Sequence, residues 1–275
     1  AEVYVFKCRY LNNQLFDEDT LNDLDLHQMN HFVLSKQHLT DETKSDDIVQ
    51  IVKDIAGLHA TSPTTPYLSL FSRTTSFTRE KLGKELYTKR NLAKIRYVRK
   101  TVYIIPRDMI PTAFAATKKL IEPASENYCR YLGVTKKQYE ETSKRILKIL
   151  KGRASTTRQI SKELGGILNF SSILNLMCDQ GLLIRGRPEK GWRSNIHTYY
   201  RFDKYFPNMN WNAVDEAEAR KSVIMQYLAS FGPATENDVS WWTGFPKSQV
   251  KEIIKNLEDK ITYVEVSGMN RAYLI

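Results

Sequence analysis

The chain has little of what a disulfide framework, a zinc site or a membrane span requires. Only three of its 275 residues are cysteine (Cys8, Cys129 and Cys178), and no close Cys or His pair has metal-ligand spacing. Their odd number and wide separation predict a reducing, cytoplasmic compartment. No apolar run approaches the roughly 18 residues of a membrane-spanning helix. We therefore expect no metal, no cofactor and no membrane partner.

We also expect no secretory leader in residues 1–10, since they alternate apolar and polar side chains and predict a strand. Hydrophobic residues make up 41% of the chain and charged residues 26%, which is typical of a globular protein.

Positive charge is abundant and concentrated in the middle of the chain. Residues 61–210 hold 29 Lys and Arg against 11 Asp and Glu, whereas residues 1–60 hold 5 against 11. This segregation favours a surface that binds a polyanion, with strongly salt-dependent affinity. The alternative is a solvated basic face without a partner.

The pattern of helices and strands repeats along the chain. In the last repeat, helical spacing over 215–230 is followed by a Thr235–Asp238 helix start, a helix over 247–257 and alternating strand residues from Ile261. The middle repeat has the same order, with a Thr156–Gln159 capping box. Three helices followed by a hairpin indicate a winged helix-turn-helix.

We therefore predict a mainly α fold with small β-hairpins, built from three tandem winged helix-turn-helix units. The predicted segments are an N-terminal extension with a strand over 1–25, winged helix 1 over 26–110, a helical linker over 111–140, winged helix 2 over 141–204 and winged helix 3 over 213–275.

His59 is the strongest candidate for a catalytic residue. It follows a helix that Gly57 terminates, and it opens a proline-kinked loop. In an extended loop His59 and Thr61 project from the same face, where they could hold one water molecule. The alternative is a structural histidine that interacts with the last carbonyls of the helix.

Two hairpins carry the candidate DNA contacts. Cations on a wing suit phosphate contact, which positions a duplex without reading its sequence. The predicted phosphate contacts are Arg96, Arg99 and Lys100 on the first hairpin and Arg185, Arg187, Lys190 and Arg193 on the second.

Other side chains have weaker functional interpretations. On the candidate recognition helix of the middle unit, Asn169, Ser171, Ser172 and Asn175 could face base edges, but they could equally cap the helix. Trp241 and Trp242 point about 100° apart on a helix. We expect one to lie in the core and one to pack between domains.

Three segments resemble the AlkZ/YcaQ-like DNA glycosylases, a family of winged helix DNA-binding domain proteins. The run 55–73 resembles the family's signature loop, and residues 96–105 resemble its basic hairpin. Residues 227–235, with Asp238, Trp241, Trp242 and Gly244, resemble its third-unit motif. The likeness spans about residues 26–270.

The resemblance implies a C-shaped arrangement of three winged helices around duplex DNA and hydrolysis of the N-glycosidic bond of alkylated purines. Family members carry glutamine–aliphatic–glutamine or glutamine–aliphatic–aspartate in the catalytic loop. His59 and Thr61 occupy those two positions here, so both depart from the pattern. Arg73, which ends the motif, joins the implied DNA-binding cations. Relatives also carry a C-terminal β-rich domain, which we expect to be absent here.

Three functions remain open from the residues. The first is a monofunctional glycosylase whose site is lined by His59 and Thr61 and whose partner is double-stranded, possibly alkylated, DNA. The second is a non-enzymatic regulator or damage sensor that binds DNA, since both usual catalytic residues are replaced. The third is a protein-interaction array that binds no DNA.

Overall fold

The computed structural model describes residues 23–24, 26–210, 213–257, 260–266 and 269–274. These residues are mostly helical, with three small sheets of three strands each. The predicted class, mainly α with small hairpins, is therefore confirmed. The strand predicted over residues 1–10 lies outside the described residues.

The first unit contains a short-stranded sheet, in which β4 (Val102–Pro106) lies between β2 (Leu58–His59) and β3 (Leu92–Arg96). Ile51, Val52 and Leu70 are fully buried in its core, beside Leu58 at 1% exposure. A π-helix over Lys84–Thr88 continues α4. The elements are β1 (Asp23–Leu24), α1 (Leu26–Lys36), α2 (Ile48–Asp54), β2 (Leu58–His59), α3 (Thr65–Phe71), α4 (Arg79–Gly83), β3 (Leu92–Arg96) and β4 (Val102–Pro106). We call β3, β4 and their turn the first hairpin.

One of these helices was not predicted. The sequence places a proline-kinked loop after Gly57, but residues 65–71 form α3 with Pro66 in its first turn. Proline is tolerated there because its φ angle is helical and the amides of the first turn need no partner within the helix. The expectation of a loop throughout this segment is therefore wrong.

A 22-residue helix, α5 (Ile110–Tyr131), joins the first unit to the second. It packs against helices of both later units, and Ile110, Ala113 and Ala116 are at most 1% exposed. The segment predicted as a helical linker thus contains a central helix with one buried face. No helix among the described residues is long and apolar enough to cross a membrane.

The second unit contains a sheet in which β7 (His197–Arg201) lies between β5 (Ser155–Thr156) and β6 (Leu183–Pro188). Its capping box is confirmed, because the Thr156 side chain accepts from the Gln159 amide and Gln159 reaches back to Thr156. Gly165 ends that helix in the left-handed region. The elements are α6 (Lys136–Ile149), β5 (Ser155–Thr156), α7 (Thr157–Leu164), α8 (Phe170–Asp179), β6 (Leu183–Pro188) and β7 (His197–Arg201). We call β6, β7 and their loop the second hairpin.

The third unit pairs its own hairpin with the parallel strand β1. The Thr235–Asp238 capping box is confirmed. The hydrophobic cluster of this unit includes residues from the first hairpin, such as Tyr97 and Val98. The first hairpin therefore packs into the third unit. The elements are α9 (Phe202–Tyr205), α10 (Glu216–Phe231), α11 (Glu236–Thr243), α12 (Lys247–Lys255), β8 (Tyr263–Val266) and β9 (Met269–Leu274).

Candidate functional site

Gly57 sets the entry of the chain into the loop that carries His59. Its φ is +101°, and a Cβ there would lie 3.0 Å from Ile105 Cγ2 and 3.1 Å from the Ile104 carbonyl oxygen. Only glycine combines this backbone with such a close approach. The chain then pairs antiparallel with β4, with Leu58 opposite Ile104 and His59 opposite Tyr103.

Strand alternation then separates the side chains of this segment. Leu58 and Ala60 are buried at 1% and 5% exposure, whereas His59 and Thr61 are exposed. The Ala60 amide donates to the Val102 carbonyl over 2.7 Å, which holds the segment extended. The predicted common face is confirmed, since His59 Nε2 lies 3.2 Å from Thr61 Oγ1 in a direct hydrogen bond.

An aromatic cluster supports the imidazole of His59. Its ring meets Tyr103 edge-on, with centroids 5.4 Å apart. Tyr103 in turn contacts Tyr97 and Trp242, at 5.8 and 6.3 Å. Burial raises the pKa of Tyr103, opposed by the nearby Arg99 charge. The phenol beside His59 is therefore neutral at physiological pH.

Two exposed apolar side chains follow the loop. Leu68 and Phe71 on α3 are 66% and 69% exposed, while Leu70 between them is fully buried. Sequence reasoning missed both. The sequence does indicate that some apolar side chains here are exposed. A seven-residue helix cannot place all of its apolar residues, Tyr67, Leu68, Leu70 and Phe71, on one buried face.

The second hairpin reaches α3 through an aromatic contact. The rings of Trp192 and Tyr67 lie 4.9 Å apart. The guanidinium groups of Arg193 and Arg79 lie 4.9 and 5.5 Å from the Trp192 ring. Tertiary structure therefore brings basic residues of the second unit beside the helix that follows His59 and Thr61.

The other cations of the second hairpin divide between surface and interior. Arg187 and Lys190 are exposed, and the Arg187 guanidinium lies 5.4 Å from the Tyr87 ring. Arg185 is only 8% exposed and donates to Asn175 Oδ1 over 2.7 Å. Because β6 packs against β3 and α8 and buries Arg185, the structure disfavours the predicted contact of Arg185 with the phosphates of a duplex.

Two further predicted phosphate contacts are engaged within the protein. Arg96 pairs with Asp179 over 3.0 Å and donates to Ser125 Oγ over 2.7 Å. Arg73 folds back on α3, where it donates to the Ser69 carbonyl over 2.9 Å. Burial lowers the pKa of Arg73. These contacts hold Arg73 and Arg96 within the scaffold, which disfavours their predicted role as DNA contacts.

The tip of the first hairpin remains exposed while its base is buried. Arg99 and Lys100 have φ angles of +53° and +58° and are exposed, whereas Val98 is fully buried. The Arg99 guanidinium lies 4.2 Å from the ring of Trp241, which is 67% exposed. Trp242 is 8% exposed, which confirms that one of the two tryptophans lies in the core.

The candidate recognition helix, α8, packs against α5 instead of presenting a free face. Ser172 is 4% exposed, and Asn169 donates to the Leu132 carbonyl over 2.8 Å. Asn175 accepts from Arg185. These contacts favour packing over base contact, but they do not support the capping alternative, because Asn169 at the N-cap makes no side-chain cap hydrogen bond. Among the described residues, no three His, Cys, Asp or Glu side chains group as metal ligands would.

Comparison with known proteins gives concordant results. Residues 52–275 match the family described as DNA glycosylase AlkZ-like. The chain is 25% identical over 236 residues to the interstrand DNA cross-link repair glycosylase of Streptomyces sahachiroi, a match that covers 79% of this chain and 61% of that protein. It therefore spans about three fifths of that relative's length.

A solved structure shares the fold. Streptomyces sahachiroi DNA glycosylase AlkZ superposes with a TM-score of 0.72 at 20% identity, over 92% of this chain and 70% of that one. The predicted family resemblance is confirmed by these matches.

Proposed function

This chain belongs to the AlkZ-like DNA glycosylase family, and on that premise we propose that it hydrolyses the N-glycosidic bond of an alkylated purine in duplex DNA. The exposed His59–Thr61 pair carries the proposal, because it stands at the two positions that resemble the family's catalytic pair. The three helix-and-hairpin units act as winged helices, in a C-shaped arrangement around the duplex.

The proposed chemistry is heterolytic cleavage followed by addition of water. The bond between C1′ and the purine nitrogen breaks, and its electron pair neutralises the cationic alkylated base. The oxygen of a water molecule then bonds to the oxocarbenium-like C1′. Thr61 Oγ1 accepts a hydrogen bond from that water, and His59, as a general base, takes its proton, which passes later to solvent.

The groups around the His59–Thr61 pair indicate which class of substrate suits the site. Among the described residues, no carboxylate hydrogen-bonds to His59 or Thr61. Little electrostatic stabilisation is therefore available for the cationic sugar. A purine alkylated at N7 or N3 already carries a positive charge and leaves readily, so it suits a site that mainly positions water.

Duplex binding is assigned to exposed cations on α4 and on the two hairpins. They are Arg79, Arg99, Lys100, Arg187, Lys190 and Arg193. Each phosphate contact releases counterions and makes the affinity fall with salt. The exposed side chains of Leu68 and Phe71 supply apolar surface next to the catalytic loop, which suits insertion beside a displaced base.

The test is release of free base from duplex DNA that contains one N7-methylguanine. We expect release by the unaltered chain and a loss of about 100-fold in His59→Ala. The matched control is His27→Ala, which removes another exposed histidine, on α1. Equal release by His59→Ala and the unaltered chain would remove His59 from the mechanism, and no release by any variant would refute the glycosylase assignment.

A second candidate function is a damage sensor or DNA-binding regulator without catalysis. It is favoured by the direct bond between His59 Nε2 and Thr61, which occupies the ring nitrogen. This function predicts salt-dependent duplex binding and no base release from any alkylated substrate. Sequence-selective footprints would indicate a regulator, whereas preference for lesions would indicate a sensor.

A further inference from the structure

A cavity lies where β3 of the first hairpin meets α5, α8 and β6. Its enclosed part has a volume of about 20 Å³, and it opens to solvent. Four of its lining side chains are cationic, namely Lys94, Arg96, Lys118 and Arg185, whereas Asp179 is its single lining carboxylate. The cavity is separate from the His59–Thr61 pair, because β3 and β2 lie on opposite sides of β4 in the sheet.

Lys94 is the least compensated of these cations. It is 8% exposed, yet no hydrogen bond or ion pair joins it to any residue that the structure describes. Its Nζ atom is not among the fully enclosed unpartnered polar atoms of the described residues, so the ammonium keeps some access to solvent although little of the side chain is exposed. Its place on the lining of the cavity provides room for a ligand that would compensate the charge.

The neighbouring groups leave the cavity with excess positive charge. Asp179 Oδ2 is shared by Arg96 and Ser125, while its Oδ1 is buried without a partner among the described residues. The Nε atom of Arg96 is buried and has no partner among the described residues. Burial, with the charges of Lys94 and Arg185, lowers the pKa of His197 to about 4, so this histidine is neutral. It therefore adds no charge and stays compatible with an anion nearby.

We propose that this cavity binds a small oxyanion of the phosphate class, held chiefly by the Lys94 ammonium with Arg96 and Arg185 at its sides. A tetrahedral oxyanion offers several acceptor oxygens to donors that converge from different strands. Deep burial of Lys94 selects a compact anion or a terminal phosphate group over the backbone of a duplex. The site is independent of the proposed glycosylase activity.

Sulfate is the most informative first probe, because its charge is constant over the pH range of interest. Burial, and then the Arg185 charge, lowers the pKa of Lys94 to about 8. The other charged or titratable groups around it are Arg96 on β3, Lys118 and Glu122 on α5, Cys178 and Asp179 on α8, and His197 on β7. Sulfate affinity is accordingly expected to fall as pH rises through 8, when Lys94 loses its proton.

The experiment measures thermal unfolding and calorimetric binding of the full chain at pH 7, in sulfate or inorganic phosphate against chloride of equal ionic strength. We expect a rise in Tm of about 5 °C at a hundredfold excess over the dissociation constant. Lys94→Met should abolish both the rise and the binding heat. Lys148→Met, which removes an exposed lysine on α6, should leave them unchanged.

Competition by an oligonucleotide distinguishes the two possible sources of the oxyanion, a nucleic-acid terminus and a free anion. A 5′-phosphorylated oligonucleotide that competes with sulfate in a Lys94-dependent manner would identify a nucleic-acid terminus as the ligand. Indifference to the 5′-phosphate, with retained sulfate binding, would identify a free anion. Absence of sulfate and phosphate binding by the unaltered chain, or binding that Lys94→Met leaves intact, would overturn the proposal. The measurement on the unaltered chain keeps the proposal refutable even where the variant folds poorly.

Discussion

The guanidinium of Arg99 lies over the indole ring of Trp241, 4.2 Å from its centroid. This contact joins the tip of the first hairpin to α11 of the third unit. Val98 beside it is fully buried, whereas Arg99 itself stays exposed. The third unit thus fixes the hairpin that pairs with the His59 segment, while a cation at its tip remains available to DNA.

Loss of the contact between Arg99 and Trp241 should reduce stability slightly, and loss of the Arg99 charge should also weaken DNA binding. Trp241→Ala is expected to lower the free energy of unfolding by about 0.5–1 kcal/mol, as for an exposed cation–π pair. Arg99→Ala should also reduce the salt slope of duplex binding by about 1. A double-mutant cycle of Arg99 and Trp241 by chemical denaturation measures the coupling. Strict additivity of the two changes would contradict the contact.

Gly57→Ala should damage both stability and activity. Its Cβ would meet Ile105 and the Ile104 carbonyl, and φ is +101°. We expect a loss of about 2–3 kcal/mol in the free energy of unfolding, together with reduced base release. The control is Gly133→Ala, where φ is +78° but nothing lies within 4 Å of the new Cβ. Its loss should be about 1 kcal/mol, and equal losses in the two variants would argue against the steric cause.

Substitution of the ion-paired Arg96 should lower stability, whereas substitution of the exposed Arg193 should weaken DNA binding. Arg96→Ala leaves Asp179, whose side chain is 1% exposed, without its cation. We expect a loss of about 3 kcal/mol in unfolding free energy and an unchanged salt slope of DNA binding. Arg193→Ala, at an exposed site, should preserve stability and reduce the salt slope by about 1. Denaturant titrations and binding at several salt concentrations provide both measurements.

Leu68 and Phe71 should matter for DNA and not for folding. Leu68→Ser with Phe71→Ser removes exposed apolar surface, so the Tm is expected to change little while base release and lesion binding fall. Leu70→Ser is the contrasting variant, because Leu70 is fully buried. It should lose about 2–5 kcal/mol of stability. Unaltered release by the double variant would exclude a role for α3 in handling the substrate.

Lys94→Met should stabilise the protein at neutral pH. Because the folded-state pKa of Lys94 is about 8, below its ordinary 10.5, the folded protein carries the full penalty of a buried charge at lower pH. The penalty decreases between pH 8 and 10.5, as the folded state loses its proton first. We expect a gain on the order of 1–3 kcal/mol at pH 7 that declines toward pH 10. Denaturant unfolding of both proteins across this range measures it, and a pH-independent difference would contradict the titration of Lys94.

Local features of the fold were predictable because their causes lie within a few residues. The capping boxes at Thr156 and Thr235 are formed by side chains three positions away. The common face of His59 and Thr61 follows from the alternation of an extended chain. The family followed from motifs in order along the chain.

The sequence by itself indicated most of the helices and the hairpins, though not α3, and, through the family resemblance, which two side chains stand at the candidate catalytic positions. Only the tertiary structure decided which cations are exposed. Arg185, Arg187 and Arg193 lie on one hairpin, yet β3 and α8 bury the first while the others remain exposed. Burial depends on elements distant in sequence, whereas charge patterns report only on neighbours. For Lys94 too, the lack of a charged partner cannot be predicted from neighbouring residues, because its surroundings form where the first hairpin packs against the second unit.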